Sequence, residues 1–198
     1  NRPMIAHQDT TNQRLRFSVA EPGIGWITTT VDSGIVSGNL PTIAIDPDTG
    51  YPAIVDLVGN LDDIRYAEWN GIEWIFSFVL GTIRSSDPSL AFDPADGNPA
   101  ISYLDTNNDD LKLAWHDGVS WQTQTVDAVG NVGYSTSLAF NDFGSGFPSI
   151  AYFEEFGTFD TLYFIDDPPP AVPEPAALVL LVLGAKLITC RRPRLHSP

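Results

Sequence analysis

Cysteine is almost missing from this 198-residue chain: Cys190 is the only one. The residues before it can therefore hold no disulfide and no thiolate metal site. A chain of this length buries enough surface to be stable without either. Histidine is nearly as scarce. His7, His116 and His196 stand far apart, and none has a second histidine at ligand spacing. That argues against a histidine-based metal centre or triad. Basic side chains number ten against twenty-five acidic ones, a net charge of −15. So acidic a body repels phosphate backbones, which argues against a nucleic-acid partner. No G-x-S-x-G, no H-E-x-x-H and no phosphate-cradling glycine loop occurs. Nothing in residues 1–167 repeats with helical periodicity.

What the chain does have is turn formers and aromatic residues. Sixteen Gly and sixteen Pro accompany eleven Phe, six Tyr and five Trp. With 43% hydrophobic residues, this is the composition of many short strands joined by tight turns, and it excludes a disordered chain. The charge is unevenly placed. Residues 1–170 hold six basic and twenty-four acidic side chains, and residues 171–198 hold four basic and one acidic. Solubility is the simplest use of the acidic body. The chain opens at Asn1 without a charged-then-apolar leader. The expectation is a removed leader or a piece of a longer parent.

Self-comparison reveals a repeat of about 47 residues. Residues 41–84 lie over residues 88–131 without gaps, with sixteen of 44 positions identical. PTIAIDPDTGYPAI matches PSLAFDPADGNPAI, and NLDDIRYAEWNGIEW matches NNDDLKLAWHDGVSW. A partial copy occupies 3–36 and another 137–167. Each unit reads as four strands: 42–46, 89–93 and 137–141 first; 3–9, 52–58, 99–105 and 148–154 second; 15–20, 64–69, 111–115 and 162–165 third; 26–31, 74–80 and 121–127 fourth. The third strands alternate well, with Ile64 and Tyr66 on one face and Leu111, Leu113 and Trp115 likewise. Asp46-Pro47 with Gly50, Asp93-Pro94 with Gly97, Asn70-Gly71 and Asp117-Gly118 supply the turn chemistry.

Four strands per 47 residues is the blade of a β-propeller. The expectation is an all-β fold of β-propeller-like four-stranded repeats over residues 1–167, either an open arc or part of a larger ring. A single blade cannot bury both faces, so neighbouring blades must cover them. Trp26, Trp74 and Trp121, at equivalent positions, are expected in that packing. The Gly-x-x-Trp turn before each resembles the Asp-box of sialidase-like propellers. The resemblance covers five to eight residues per unit and implies blade architecture, not sialidase activity.

Candidate chemistry is sparse. Asp46, Asp48, Asp93 and Asp96 lie in loops superficially like calcium loops, but without the further oxygen ligands. Turn formation explains them better. Asn60, Asp62 and Asp63, matched by Asn107, Asp109 and Asp110, form a repeated acidic turn: a solvated hairpin tip, or else a Ca²⁺ site. Glu154-Glu155 offers a carboxylate without a positioned partner. No cofactor and no catalytic residue is expected.

The ending differs in kind. Residues 168–175 form a proline-rich linker that closes on Val172-Pro173-Glu174-Pro175. Residues 176–190 are apolar except for Lys186 and Thr189. As a helix they would span about 22 Å, short of the roughly 30 Å hydrocarbon core. Arg191, Arg192 and Arg194 follow in a basic tail, 191–198, and keep that side cytoplasmic. The combination resembles the PEP-CTERM sorting signal of Gram-negative, exopolysaccharide-producing bacteria. The resemblance covers about 24 residues. It implies export, a transient membrane tether through the 176–190 helix, processing by an exosortase-type membrane enzyme, and delivery to the cell surface or medium. The alternative is an ordinary tail anchor. For the body, the expectation is a non-enzymatic binding or scaffolding propeller for exopolysaccharide or a surface protein. The alternative is a carbohydrate-active propeller enzyme whose catalytic residues lie on blades outside this chain.

Overall fold

The computed structural model describes residues 2–32, 36–60, 62–79, 84–140, 148–156 and 159–166. These residues form fourteen strands in four antiparallel sheets, with no helix among them. The first sheet holds β1 (Met4–Asp9), β2 (Arg14–Glu21) and β3 (Gly25–Thr30). The second holds β4 (Asn39–Ile45), β5 (Pro52–Val58), β6 (Asp63–Trp69) and β7 (Trp74–Phe78). The third holds β8 (Ser85–Phe92), β9 (Pro99–Asp105), β10 (Asp110–His116) and β11 (Trp121–Asp127). The fourth holds β12 (Val132–Phe140), β13 (Pro148–Phe156) and β14 (Phe159–Asp166). Each sheet is a meander with its strands in chain order, so the sequence repeat is a repeat of sheets. The linker, apolar segment and basic tail lie outside the described residues.

The turns form for the expected reasons. Gly50 N–H donates to Asp46 O at 2.9 Å and Gly97 N–H to Asp93 O at 2.8 Å. Both glycines have positive φ, +70° and +72°, where a Cβ is penalised. Asn70 Oδ1 accepts from the N–H groups of Ile72 and Glu73, and Asp117 Oδ1 from those of Val119 and Ser120. These side chains close the hairpins locally.

One expectation needs correcting. β4, β8 and β12 begin at Asn39, Ser85 and Val132, several residues before the expected starts at 42, 89 and 137. Each carries a bulge: the register breaks between Asn39 and Thr42, between Ser86 and Ser89, and between Tyr134 and Ser137. Within each break one residue has positive φ: Leu40 (44°), Asp87 (47°) and Ser135 (48°). An extra residue reverses the side-chain parity, so simple alternation loses the strand there.

Consecutive sheets pack face to face in chain order. β1 lies on β4, β4 and β5 on β8, and β8, β9 and β10 on β12. Three apolar clusters result. Leu15, Val31, Ile54 and Ala67 join the first sheet to the second. Val55, Leu57, Ile64, Tyr66, Ile101 and Tyr103 are among those joining the second to the third. Leu111, Leu113, Leu138, Ile150 and Tyr152 are among those joining the third to the fourth. Main-chain bonds reinforce each joint. Ser37, Ser85 and Val132 N–H groups, at the entry to the next sheet, donate to the carbonyls of Gln13, Asp62 and Asp109 at 3.0, 3.2 and 3.0 Å. Those three acceptors are the positive-φ residues of the preceding hairpins, at 53°, 51° and 57°. The left-handed turn thus aims a carbonyl at the neighbouring sheet.

Candidate functional site

The joint between the first and second sheets gathers aromatic residues that the next joint lacks. The register pairs Trp69 with Trp74 across the β6–β7 hairpin, and their rings meet edge-on at 5.5 Å and 61°. Phe17, on β2, meets Trp74 at 5.5 Å and 68°. Tyr51, beside the Asp46–Gly50 turn, reaches the same hairpin. A Cβ at Gly71 would lie 2.9 Å from the Tyr51 hydroxyl, so glycine is what admits the phenol there. Met4, Val19 and Ile27 share a face of the first sheet with Phe17. Together these residues line a cleft of about 340 Å³. Arg2, paired with Glu21, stands at its rim.

Such a volume lies in the range of small-ligand sites, roughly 300–1,000 Å³. The walls are almost wholly aromatic or aliphatic, with Arg2 and Thr29 as the polar edges. The cleft therefore suits a ligand with a flat apolar face and a hydrogen-bonding rim. It holds no nucleophile–base pair.

The matching place between the second and third sheets is built differently. Asn98 stands where Tyr51 does, and His116 where Trp69 does. Trp121 packs on Tyr66 at 5.4 Å and 64°, and its Nε1–H donates to Ser77 Oγ at 3.2 Å. The Asp48 carboxylate lies against Gly97, which brings the second sheet's turn against the third's. No atom lies within 4 Å of the Cβ position at Gly50, so the corresponding side of the first joint is open.

Deeper in the first joint lies an ion cluster. Arg65 and Asp56 are buried, and they form a two-pronged pair: Nε–H to Oδ1 at 3.0 Å and Nη2–H to Oδ2 at 2.9 Å. Arg65 also donates to Asp32, which follows β3, and its guanidinium lies 4.8 Å from the centre of the Phe76 ring. Gly38 N–H donates to Asp56 Oδ2 at 2.6 Å. Burial pushes the Asp56 carboxyl up, and Arg65 and the Gly38 N–H pull against it. Both carboxylates hydrogen-bond the one guanidinium, so the cluster ties the two sheets together and leaves no free donor pair for chemistry.

The other candidates are placed as follows. Asp46 accepts from Asp48 N–H at 2.8 Å and from the Thr49 hydroxyl at 2.7 Å, and Asp96 accepts from Asn98, so these carboxylates serve their turns. Asp62 and Asp109 sit at positive φ in hairpins. Among the described residues, no group of three His, Cys, Asp or Glu is placed to hold a metal ion. Glu154 accepts from the Tyr163 hydroxyl at 2.7 Å. Glu155 projects from the opposite face of β13, so the two carboxylates do not act together. His7 bonds Ser18 Oγ at 3.1 Å, and His116 stacks edge-on against Trp121. Trp74 and Trp121 pack between sheets as expected. Trp26 does not: it is 54% exposed, because no preceding sheet covers its face among the described residues. Val172, Pro173, Glu174, Pro175, Arg191, Arg192, Arg194 and His196 lie outside the described residues.

Sequence reasoning passed over Tyr51 and Trp69. Their signal was available: they are large aromatics where the sister repeat has Asn98 and His116. No family model and no curated protein matches the chain.

Proposed function

We propose that this is an exported, non-enzymatic carbohydrate-binding module whose four sheets are blades of a propeller-like arc. The aromatic cleft between the first two sheets carries the reading. A pyranose ring presents a C–H face that stacks on aromatic rings and an edge of hydroxyls that hydrogen-bonds. Phe17, Tyr51, Trp69 and Trp74 supply the rings. Arg2 and Thr29 supply polar contacts at the edge. Exopolysaccharide is the expected ligand. The ordered stacking of similar antiparallel sheets supports the propeller-like arc.

Delivery rests on the chain ending. Val172-Pro173-Glu174-Pro175, the short apolar run and Arg191, Arg192 and Arg194 form a sorting signal for an exosortase-type enzyme, with a transient membrane tether. Two experiments test the two halves. Titration of neutral and acidic oligosaccharides should quench tryptophan fluorescence, and Tyr51→Asn with Trp69→His, the sister-repeat residues, should abolish the response. A panel without any binder overturns the carbohydrate reading. Removing residues 172–198 should release the protein into the medium. Unchanged retention by cells overturns the sorting reading.

A further inference from the structure

The first two joints between sheets repeat one aromatic pairing; at the third, Leu113 takes the place of the aromatic ring. Phe17 of the first sheet meets Trp74 of the second, and Tyr66 of the second meets Trp121 of the third, both edge-on at about 5.5 Å. The strand registers make Phe17, Tyr66 and Phe164 equivalent, each across from the same position of its neighbouring strand: Ala6, Val55 and Ala151. The registers likewise make Trp26, Trp74 and Trp121 equivalent, across from Ala20, Trp69 and His116. Two halves of this pairing have no partner ring among the described residues. Phe164 is 44% exposed on the outer face of the fourth sheet, and Trp26 is 54% exposed on the outer face of the first.

Their surroundings also match. Around Phe164 lie Phe153 and Leu162, both more than a third exposed. A groove lined by Tyr134, Ser135, Phe153 and Glu155 runs beside them. On the same face as Trp26 lie Ile5, His7, Asp9, Arg14 and Arg16. The acidic Glu155 lies towards the β13–β14 hairpin, and Asp9, Arg14 and Arg16, a net positive set, lie towards the β1–β2 hairpin. These are corresponding ends of the two sheets, so stacking in repeat register brings opposite charges together.

We propose that the outer face of the fourth sheet docks on the outer face of the first sheet of a second copy, with Phe164 against Trp26. The contact continues the sheet-on-sheet stacking that the chain makes three times internally and the aromatic pairing that it makes twice. It is head-to-tail: two copies either close into an eight-sheet ring or propagate. This is independent of what the cleft binds.

The test uses the full chain with Cys190→Ser. One batch carries Thr28→Cys, on the Trp26 face, and another Ser149→Cys, on the Phe164 face. A flexible bis-maleimide reagent should join the two batches when mixed and neither batch alone. Sedimentation should show a dimer or larger species. Phe164→Glu should weaken association at least about tenfold, since it buries an unpaired charge, and Phe164→Tyr should preserve it. Circular dichroism of each variant checks that the sheets persist. A monomer overturns the proposal, as it would if residues 176–190 of the same chain covered the fourth sheet. Cross-linking within single batches as strong as in the mixture overturns it too, because association would then not be head-to-tail.

Discussion

Gly38 stands directly over the backbone of Leu15: a Cβ at residue 38 would lie 2.8 Å from the Leu15 Cα. Gly133 has the same relation to Leu111, at 3.0 Å. Both glycines have positive φ, +82° and +100°, and both open a sheet against the one before it. The intermediate copy has Ser85 at this place and takes its positive φ one residue earlier, at Arg84.

Gly38→Ala and Gly133→Ala should therefore each cost at least about 2 kcal/mol, from the left-handed conformation together with a backbone clash. Gly50→Ala has a similar φ, +70°, but open space around its Cβ. It should cost only about 1 kcal/mol. Urea midpoints of the three variants decide the matter, and equal losses would contradict the close-packing account.

The Asp56–Arg65 pair makes a second prediction. Asp56→Ala leaves a buried guanidinium with one partner fewer and should cost about 3–5 kcal/mol. Replacing both, Asp56→Leu with Arg65→Met, should recover part of that loss: the buried guanidinium is gone, but Asp32 and the Gly38 N–H each lose a partner. A double variant no more stable than the single would show that Arg65 is needed for something besides neutralising Asp56.

Acid sensitivity follows from a repeated turn. At Asp105, burial alone would raise the carboxyl, but Asn108, the Asn107 N–H and Lys112 overcome it and hold it below its ordinary value. At the equivalent Asp9, bonds from the Asn12 side chain and N–H hold the carboxyl low in the same way. A carboxyl lowered on folding stabilises the fold above its unfolded value, about 3.9, and loses that contribution as pH falls through the folded value. Stability should thus decline below about pH 4. Asp105→Asn cannot titrate, so its denaturation midpoint should fall less steeply there. A slope identical to the parent's would remove Asp105 from the acid response.

The cleft supplies the last prediction. Trp69→Ala should weaken glycan binding at least about tenfold, while Trp121→Ala, half-buried in the next joint, should lower stability with little effect on affinity for the folded protein. Calorimetric titration together with thermal melts separates the two. Similar affinity losses in both would place the ligand elsewhere.

Much of the fold was legible because it is written several times. Offsets near 47 exposed the repeat. Asp-Pro with Gly, and Asn-Gly, mark reversals through local conformational preference, which needs no tertiary context. The strand starts at Asn39, Ser85 and Val132 were hidden because the bulges at Leu40, Asp87 and Ser135 break the alternation that reveals a strand. The cleft was hidden for another reason. Phe17 is far in sequence from Tyr51, Trp69 and Trp74, and only the stacking of the first sheet on the second brings them together.

The sequence by itself determined the unit: four-strand lengths of alternating apolar residues, punctuated by turns, with an acidic exterior and a terminal apolar run with a basic end. Tertiary structure alone decided what one ladder position does in each unit. Residues His7, Asp56, Tyr103 and Tyr152 occupy it in turn. His7 bonds Ser18 on a face that no sheet covers among the described residues, Asp56 pairs with Arg65, Tyr103 is buried among mainly aliphatic side chains, and Tyr152 donates to Asp127 at 2.6 Å. Local pattern sets a strand because backbone geometry and side-chain parity act over a few residues. The partner of a buried polar group comes from the neighbouring strand or sheet, and folding must bring it there.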